Sequence, residues 1–313
     1  MTRNLFLGAD LTSAYRALAS AQTALPAAVA AIFNPGEPPG AVQRTDFATR
    51  AGGLADEIEL AQPDLIGLQE AAVWRIGDTV AADHLELLEA ELARRGLRYR
   101  RVAASVNGDV ALPSAAGILV GLSDREAILA REDPELTLAN VQAAGFATLL
   151  PIQTPQGTFG LARGWMAVDA TLRGTTVRVI STHLEVALTP PAAAVQLAQA
   201  GELLAGPADT SLPVVMLGDF NARPERPTYA ALRAAGFDDA WTRTHPDGDT
   251  GFTCCHTELD DPKDTLSARI DHILTRGAIA ATEAFRVGAE PGDFRSGLWP
   301  SDHAGVVATL GPV

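Results

Sequence analysis

Residues Pro213–Asn221 read PVVMLGDFN, an apolar run that ends in a glycine and is followed by polar residues. A short, continuous apolar run closed by Gly218 is typical of a buried β-strand. Asp219 and Asn221 are two positions apart, so on an extended segment their side chains would share one face. A carboxylate beside a carboxamide can position a water molecule and bind an electron-rich oxygen atom. The segment therefore predicts a rigid strand with polar chemistry at its end.

The same arrangement recurs at four other apolar runs. The residues concerned are Glu70 after LIGLQ, His183 after VRVIST, Asp271 and His272 beside Ile270 and Ile273, and Asp302 and His303 before AGVVATL. A strand end can present side chains to a ligand while the body of the sheet stays rigid. Each residue alone also fits an ordinary turn, but five clusters of one kind indicate a shared site.

The rest of the chain alternates helices with strands. The sequence predicts helices at Thr12–Ile32 (interrupted near Pro26), Val42–Ala61 (weakened at Gly52–Gly53), His84–Arg95 (with Asp83 as N-cap and Gly96 beyond its end), Pro190–Leu204 and Thr228–Ala235. It predicts strands at Asp64–Gln69, Ala115–Leu122, Trp165–Leu172, Thr176–Thr182, Pro213–Leu217, Ile270–Leu274 and Ala304–Leu310, and a loop at Asn34–Gly40. This order favours an α/β fold with mixed sheets. No linker divides it, so residues 1–313 are expected to form a single domain.

The charge balance argues against a protein that grips long polyanions. The net charge is −14, from 24 Lys+Arg and 38 Asp+Glu, whereas proteins that bind long nucleic acids usually neutralise phosphates with a basic face. The one dense basic stretch consists of Arg94, Arg95, Arg98, Arg100 and Arg101. It fits a solvated helix end better than the alternative, a phosphate-contacting edge. Nucleic acid is therefore compatible as a partner but not favoured.

Two further features concern the environment of the chain. No apolar run is long enough to cross a bilayer, and no signal peptide is visible, which favours the cytoplasm, or export if the native N-terminus is missing. Cys254 and Cys255 are adjacent, and bridge geometry favours a wider, differently directed pair. Two unbridged side chains in a loop are therefore expected, with a vicinal disulfide or a soft-metal contact as the alternatives.

The polar residues at the strand ends suit one chemistry. Glu70 and Asp302 offer hard oxygen ligands, which suit Mg²⁺ or Mn²⁺ rather than Zn²⁺. His303 needs an orienting carboxylate to act as a base, and Asp271 is the candidate. His183 can donate a hydrogen bond or a proton to a phosphoryl or leaving oxygen. These are the parts of metal-assisted phosphoryl hydrolysis.

Six segments in a fixed order carry a family resemblance. They are TRN at Thr2–Asn4, LQE at Leu68–Glu70, STHL at Ser181–Leu184, GDFN at Gly218–Asn221, RIDHI at Arg269–Ile273 and SDH at Ser301–His303. The series resembles the motifs of the endonuclease/exonuclease/phosphatase superfamily, which includes pancreatic-type deoxyribonuclease, abasic-site endonucleases, inositol-polyphosphate 5-phosphatases and neutral sphingomyelinases. The resemblance implies a four-layered α/β sandwich, with two mixed β-sheets packed face to face, helices on both outer sides and the site at one rim.

The resemblance also implies the metal site. Asn4, Glu70 and Asp302 would lie at the metal, with Glu70 as the main ligand. The cofactor would be one or two Mg²⁺ or Mn²⁺ ions, with another divalent cation as an alternative.

It further implies a catalytic set. His303, paired with Asp271, would act as general base or contact the phosphate. Asp219 would activate the nucleophile or protonate the leaving group. Asn221 would steady the transition state, and His183 would contact the phosphoryl oxygens.

Three more residues are candidates with two interpretations each. His272 stands where the superfamily often has an aromatic residue, and packing is favoured over a site role. Asp10 fits a helix N-terminus better than an additional acidic group at the metal. Arg163, in ARGW, can pin a phosphate through a bidentate contact or lie on the surface. His256, in GFTCCH, is a weaker candidate.

The expected function is metal-dependent hydrolysis of a phosphodiester or phosphomonoester by in-line water attack. The acidic composition favours a small or lipid-like substrate over long DNA. The alternatives are a nuclease, a phosphotriesterase using the same site and, least favoured, a binding module without catalysis. The sequence leaves the oligomeric state open.

Overall fold

The computed structural model describes residues 1–20, 23–154 and 157–313, and two large β-sheets face each other at its centre. Its strands are β1 Thr2–Asn4, β2 Leu65–Gln69, β3 Val73–Ile76, β4 Thr79–Asp83, β5 Tyr99–Pro113, β6 Leu119–Arg131, β7 Leu136–Gly145, β8 Leu150–Thr154, β9 Gly157–Leu161, β10 Gly164–Leu172, β11 Thr175–His183, β12 Val214–Asp219, β13 Asp238–Asp239, β14 Asp271–Arg276, β15 Ile279–Val287 and β16 Gly305–Pro312. Its helices are α1 Thr12–Ala19, α2 Leu25–Ile32, α3 Ala41–Arg44, α4 Phe47–Ala61, α5 His84–Arg94, α6 Pro190–Ala205, α7 Pro227–Ala234 and α8 Ala240–Thr244, with a 3-10 turn at Pro291–Asp293.

Both large sheets are mixed. The first has the strand order β15-β16-β1-β2-β6-β3-β4, with β5 also paired to β6, and the second has the order β13-β14-β12-β11-β10-β7. In the first, β1 runs parallel to β2 and antiparallel to β16. In the second, β11 runs parallel to β12 and antiparallel to β10. Strands β8 and β9 form a separate pair.

Three apolar layers hold the sandwich together, because the central strands are apolar on both faces. In β12, Val215 and Leu217 point between the two sheets, whereas Val214 and Met216 point outward against α6 and α7. Helices α4 and α5 cover the outer face of the first sheet through residues such as Leu54. The expected four-layered α/β sandwich is confirmed.

The two sheets approach most closely where β2 crosses β11 and β12. A Cβ atom built on Gly67 would lie 2.2 Å from Cδ1 of Leu217 and 2.5 Å from Oγ of Ser181. Real side-chain contacts do not come this close, so the glycine of LIGLQ allows this spacing. The close approach brings the ends of β2, β11 and β12 to one rim.

Several predicted bounds are wrong in instructive ways. The helix expected over Val42–Ala61 is divided into α3 and α4, because Asp46 adopts φ +27°, while Gly52 and Gly53 lie inside α4. The burial of neighbouring apolar residues outweighs the glycine cost in that helix. The strand expected over Ala115–Leu122 begins at Leu119 and continues to Arg131, because a polar stretch, Ser123–Glu126, interrupts its apolar pattern. The break near Pro26 separates α1 from α2 as expected, apart from Ala21 and Gln22, which lie outside the described residues.

The favoured interpretation of the two cysteines is also wrong, and one of its two alternatives holds. Cys254 and Cys255 are joined as a vicinal disulfide, with a cis peptide bond between them and Cα atoms 3.2 Å apart. Cys254 is buried and Cys255 is exposed.

Among the described residues, no helix combines the length and the apolar character needed to span a bilayer.

Candidate active site

The predicted site residues come from the ends of neighbouring strands in both sheets. His183 ends β11 and pairs in register with Asp219 at the end of β12, which in turn pairs with Asp271 at the start of β14. In the facing sheet Asn4 ends β1, beside the end of β2. Parallel strands place their carboxyl ends at one edge, so the pairing alone concentrates these polar side chains at one rim.

Asp219 lies at the centre of this group and is 1% exposed. Its Oδ2 accepts a hydrogen bond from Nδ2 of Asn4 at 3.1 Å and lies 3.5 Å from Nε2 of His183. Its Oδ1 accepts from the backbone N–H of Asn221 at 2.8 Å. Burial and the neighbouring Asp271 carboxylate raise the pKa of Asp219 to about 7. Asp219 therefore links both sheets and can gain or lose a proton near neutral pH.

A carboxylate–imidazole pair stands beside it. Nδ1 of His303 lies 2.8 Å from Oδ2 of Asp271, and Nε2 of His303 faces Oδ2 of Asp219 at 3.9 Å. Burial lowers the pKa of His303, but Asp271 and Asp302 outweigh it and raise that pKa well above its usual value. The separation of 3.9 Å is too wide for a hydrogen bond, so the two groups face each other without a direct bond.

The predicted metal residues lie on the same rim, and their chemistry fits a hard cation. Glu70 follows β2 and accepts a hydrogen bond from the backbone N–H of Leu7 through one oxygen, which leaves its other oxygen for a ligand. Burial raises the pKa of Asp302 to about 6, with Glu70 adding to the shift and His303 opposing it. A cation between the carboxylates of Asp302 and Glu70 would relieve their mutual repulsion. Carboxylate and carboxamide oxygens are ligands that Mg²⁺ and Mn²⁺ accept.

A different set of side chains is packed most tightly. Among the described residues, ligand atoms of Asp219, Asp271 and His303 lie within 4.8 Å of one another. The Asp271–His303 hydrogen bond already occupies Oδ2 of Asp271 and Nδ1 of His303. We therefore interpret this trio as the proton-handling part of the site, and Asn4, Glu70 and Asp302 as the part that suits a metal.

Arg163 lies inside the site rather than on the surface. Its NH1 lies 2.9 Å from Nδ1 of His183 and 3.5 Å from Oδ2 of Asp124. Burial, followed by the charges of Arg163 and His303, holds the pKa of His183 well below its usual value. His183 is therefore neutral in this arrangement.

Two candidates lie apart from the cluster. His272 is buried between Phe220 and Tyr229 and bonds the carbonyl of Ala222 through Nε2 at 2.8 Å, which agrees with the favoured packing interpretation. Asp10 is exposed and accepts from the backbone N–H of Thr12.

Asn221 contacts Asp219 through its backbone N–H. It adopts φ +48°, and its Nδ2 donates to the carbonyl of Leu184 at 2.9 Å. The segment after Asp219 is therefore not extended, and the shared-face argument fails at this point.

The sequence reasoning missed several polar residues near the cluster. Asp124 and Glu126 are two apart on β6, and burial raises the pKa of Asp124 to about 7 and that of Glu126 well above its usual value. Tyr15 of α1 is close enough for the charges of Arg163, Asp124, Glu185 and Glu70 to affect its pKa, which burial raises. The available signal was the pair of acidic residues inside the apolar run GLSDREAIL. Nothing local in the sequence indicates Tyr15.

A cavity of about 300 Å³ lies beside Arg163. It lies between the edges of the two sheets and is lined by 104–107 of β5, 143–145 of β7, Ala162 and Arg163. Oγ of Ser105 and Nε of Arg163 are buried there without a partner among the described residues. A smaller cavity, about 190 Å³, beside α4 contains none of the predicted site residues.

Known structures share this architecture. An endonuclease/exonuclease/phosphatase from Beutenbergia cavernae DSM 12333 is 21% identical, with a TM-score of 0.62 over 90% of this chain and 69% of that chain. TDP2 from D. rerio, complexed with a single strand DNA product, is 19% identical, with a TM-score of 0.58 over 85% of this chain and 92% of that chain. A functionally unknown conserved protein from Enterococcus faecalis V583 is 16% identical, with a TM-score of 0.59 over 87% of this chain and 94% of that chain.

The identities to these structures are low and support the fold alone. The family assignment comes from a comparison of the sequence itself. No curated protein matches the chain. The model of the "Endonuclease/Exonuclease/phosphatase family" matches residues 42–303, most of the chain. The chain therefore belongs to the endonuclease/exonuclease/phosphatase family, whose members are metal-dependent hydrolases of phosphoester bonds.

Proposed function

We propose that this chain hydrolyses a phosphodiester or phosphomonoester of a small or lipid-like molecule by in-line attack of water. The observation that carries the proposal is the facing arrangement of Asp219, His183 and the Asp271–His303 pair at one buried rim. The polar atoms of these groups face one another at that rim. Their donors and acceptors match the charge changes of phosphoryl transfer.

Glu70, Asp302 and Asn4 would hold Mg²⁺ or Mn²⁺. A bound cation supplies neutralisation of charge on the phosphoryl oxygens and orients the phosphate. Asn4 would steady Asp219 at the same time, through the 3.1 Å hydrogen bond from its Nδ2.

The chain's own residues divide the proton handling between them. Asp271 holds His303 so that Nε2 faces the reaction space. Asp219 and His303 are the two groups that can receive the proton of the attacking water or return one to the leaving oxygen. His183 would donate from Nε2 to a phosphoryl oxygen, because this nitrogen faces the same space.

The preference for a small substrate rests on burial and charge. Asp219, His183 and His303 are at most 6% exposed, which leaves little surface for a bulky substrate to contact. The cavity beside Arg163, of about 300 Å³, gives room for a compact organic group. The net charge of −14 opposes binding of a long polyanion.

A nuclease is the second candidate, since one structural neighbour, TDP2 from D. rerio, is complexed with a single strand DNA product. A phosphotriesterase would use the same residues. Bis-nitrophenyl phosphate, nitrophenyl phosphate, a nitrophenyl phosphotriester, sphingomyelin and plasmid DNA, assayed side by side with Mg²⁺ or Mn²⁺, separate these functions. We expect the small phosphoesters to be hydrolysed and the plasmid to stay intact. Strong nicking at physiological salt would favour the nuclease.

The site itself is tested by two variants and a matched control. Asp219→Ala and His303→Ala should each lower kcat/KM by at least about 100-fold, with unchanged circular dichroism, and EDTA should abolish turnover. Asp238→Ala removes an acidic residue that pairs with Arg233 and Arg243 away from the site and should retain full activity. Normal turnover by both site variants would place the reaction elsewhere.

A further inference from the structure

His183 makes its most informative contact on the nitrogen that faces away from Asp219. Nδ1 lies 2.9 Å from NH1 of Arg163, and Nε2 lies 3.5 Å from Oδ2 of Asp219. We propose that Arg163 is a positioning residue that fixes His183 as a neutral ring with its proton on Nε2, aimed at the phosphoryl oxygens. The proposal rests on the proposed function for its catalytic meaning, but its structural part stands without it.

The tautomer follows from what each partner can do. A guanidinium group has only N–H donors and stays protonated in proteins. Nδ1 of His183 must therefore accept the hydrogen bond, so it carries no proton. The single ring proton of a neutral imidazole then lies on Nε2. Protonation of Nδ1 would break the contact and place two cationic groups against each other, so His183 can donate a hydrogen bond but not act as the general acid.

The backbone around Arg163 keeps the guanidinium in place. Arg163 directly precedes β10, whose first residue, Gly164, pairs in register with His183. A Cβ atom on Gly164 would lie 2.7 Å from the carbonyl oxygen of Ala144 and 3.2 Å from Oδ1 of Asn107. Only a glycine permits β5, β7 and β10 to meet here. Oδ2 of Asp124 lies 3.5 Å from the same NH1 atom of Arg163 and gives the guanidinium a second contact.

Direct contact between Arg163 and the phosphate is the competing role, since Nε of Arg163 has no partner among the described residues. The two roles differ in their consequences. A positioning residue acts only through His183, so its loss matters only while His183 is present. A phosphate-binding residue contributes separately, and its loss adds to the loss of His183.

Nitrogen-15 NMR tests the tautomer without relying on activity. Proton–nitrogen correlation spectra of histidine-labelled protein, with Mg²⁺ added, are assigned by comparison with His183→Asn. At neutral pH we expect an unprotonated Nδ1 and a protonated Nε2 for His183. Arg163→Met, which cannot donate, should produce a second tautomer with the proton on Nδ1, whereas Arg163→Gln, whose amide can donate, should retain the wild-type state.

A matched control removes a buried arginine from the same sheet. Arg178 pairs with Asp169 on the neighbouring strand and lies outside the site. Arg178→Met should leave the His183 spectrum unchanged. A proton on Nδ1 in the wild-type protein, or an unchanged tautomer in both Arg163 variants, would overturn the proposal.

A double-mutant cycle tests the catalytic consequence. Arg163→Met and His183→Ala should each lower kcat/KM roughly 10- to 100-fold, mainly through kcat. The double variant should fall within about threefold of His183→Ala, because the two residues act as one unit. Losses that multiply would show that Arg163 contacts the substrate itself and would refute positioning. A wild-type protein inactive on every phosphoester would refute the proposed function, while the NMR result would still decide the tautomer.

Discussion

Asp271 holds the imidazole of His303 through Oδ2 at 2.8 Å, and its backbone N–H is itself fixed by Oγ1 of Thr253 at 3.1 Å. Replacement by asparagine keeps the shape but offers an N–H or a neutral oxygen to Nδ1. Asp271→Asn should therefore lower kcat by about 100-fold or more, because His303 loses both its orientation and its charge partner. Steady-state kinetics on the small phosphoester, with a thermal melt to check folding, measures the effect. Asp169→Asn, a buried aspartate paired with Arg178 in the same sheet, is the control and should leave kcat unchanged.

Arg50 acts on the site through the backbone. Its guanidinium donates to the carbonyls of Leu5, Phe6, Thr45 and Pro300, which ties the segment after Asn4 to the segment before Asp302. Arg50→Met keeps the bulk but leaves these buried carbonyls unpaired, so the free energy of unfolding should fall by about 3 kcal/mol or more. Urea denaturation tests this, with the exposed Arg44→Met as control. Equal stability of the two variants would contradict the role given to Arg50.

The sequence allowed prediction of those site residues that stand in local motifs. Asn4, His183, Asp219, Asp271 and His303 meet at one rim. Contacts between residues on different strands could not be predicted from the sequence. Arg163 contacts His183 because β10 pairs with β11, and Asp124 lies on a third strand. His272 packs against its neighbours, as the sequence favoured, while the side chain of Asn221 donates to the carbonyl of Leu184, a contact that its motif does not reveal.

Strand β2 needs a glycine, Gly67, where it comes closest to the facing sheet. Gly67→Ala would place a methyl group 2.2 Å from Cδ1 of Leu217 and 2.5 Å from Oγ of Ser181. The sheets would have to separate, so we expect a loss of about 1 to 3 kcal/mol of stability and a fall in activity as Glu70 and His183 move apart. Gly108→Ala is the control, because a Cβ there meets nothing within 4 Å. A Gly67→Ala protein with unchanged stability and activity would show that the two sheets can move apart without a measurable loss of either.

Elements were predictable where an apolar run was unbroken. PVVML and VRVIST became β12 and the end of β11, while β5, β7 and β15 were not predicted. Strand β7 is exposed at most positions, so its pattern lacks the apolar alternation of a half-buried strand. Strand β6 contains Asp124 and Glu126 between apolar residues. In β6 the polar residues of the site interrupt the apolar pattern of the core, so composition alone does not identify this segment as a strand.

At the level of the whole molecule, we propose that residues 1–313 fold as one domain. Strand β1 pairs with β16 near the other end of the chain and with β2, so the first sheet needs both ends of the sequence. The buried pair of Arg3 and Glu57, together with the hydrogen bond from Arg3 to the carbonyl of His303, adds to this closure. The site therefore forms only when β1 and β16, from opposite ends of the sequence, are paired in the first sheet.

The basic stretch that the sequence offered as a phosphate edge is largely neutralised. Arg94 and Arg95 pair with Glu91, Arg98 pairs with Glu132, and Arg101 pairs with Glu86 and Glu89. Exposed pairs of this kind add little stability, but they remove the positive potential that would attract a polyanion. The interpretation as a solvated helix end is therefore the better one.

This charge distribution makes salt the sharpest test of substrate class. A protein that neutralises many phosphates loses about 10³- to 10⁵-fold in affinity between about 50 and about 200 mM salt. With a net charge of −14, kcat/KM for a small phosphodiester should change less than about threefold over that range, because few counterions are released. Stopped assays at constant free Mg²⁺ measure this, and Glu91→Gln, which frees Arg94 but leaves Arg95 paired with Asp56 and Glu59, should raise the salt dependence of DNA binding only. A steep decline for the wild-type protein on both substrates would mean that the cleft binds an extended phosphate backbone, and the small-substrate proposal would give way to a nuclease.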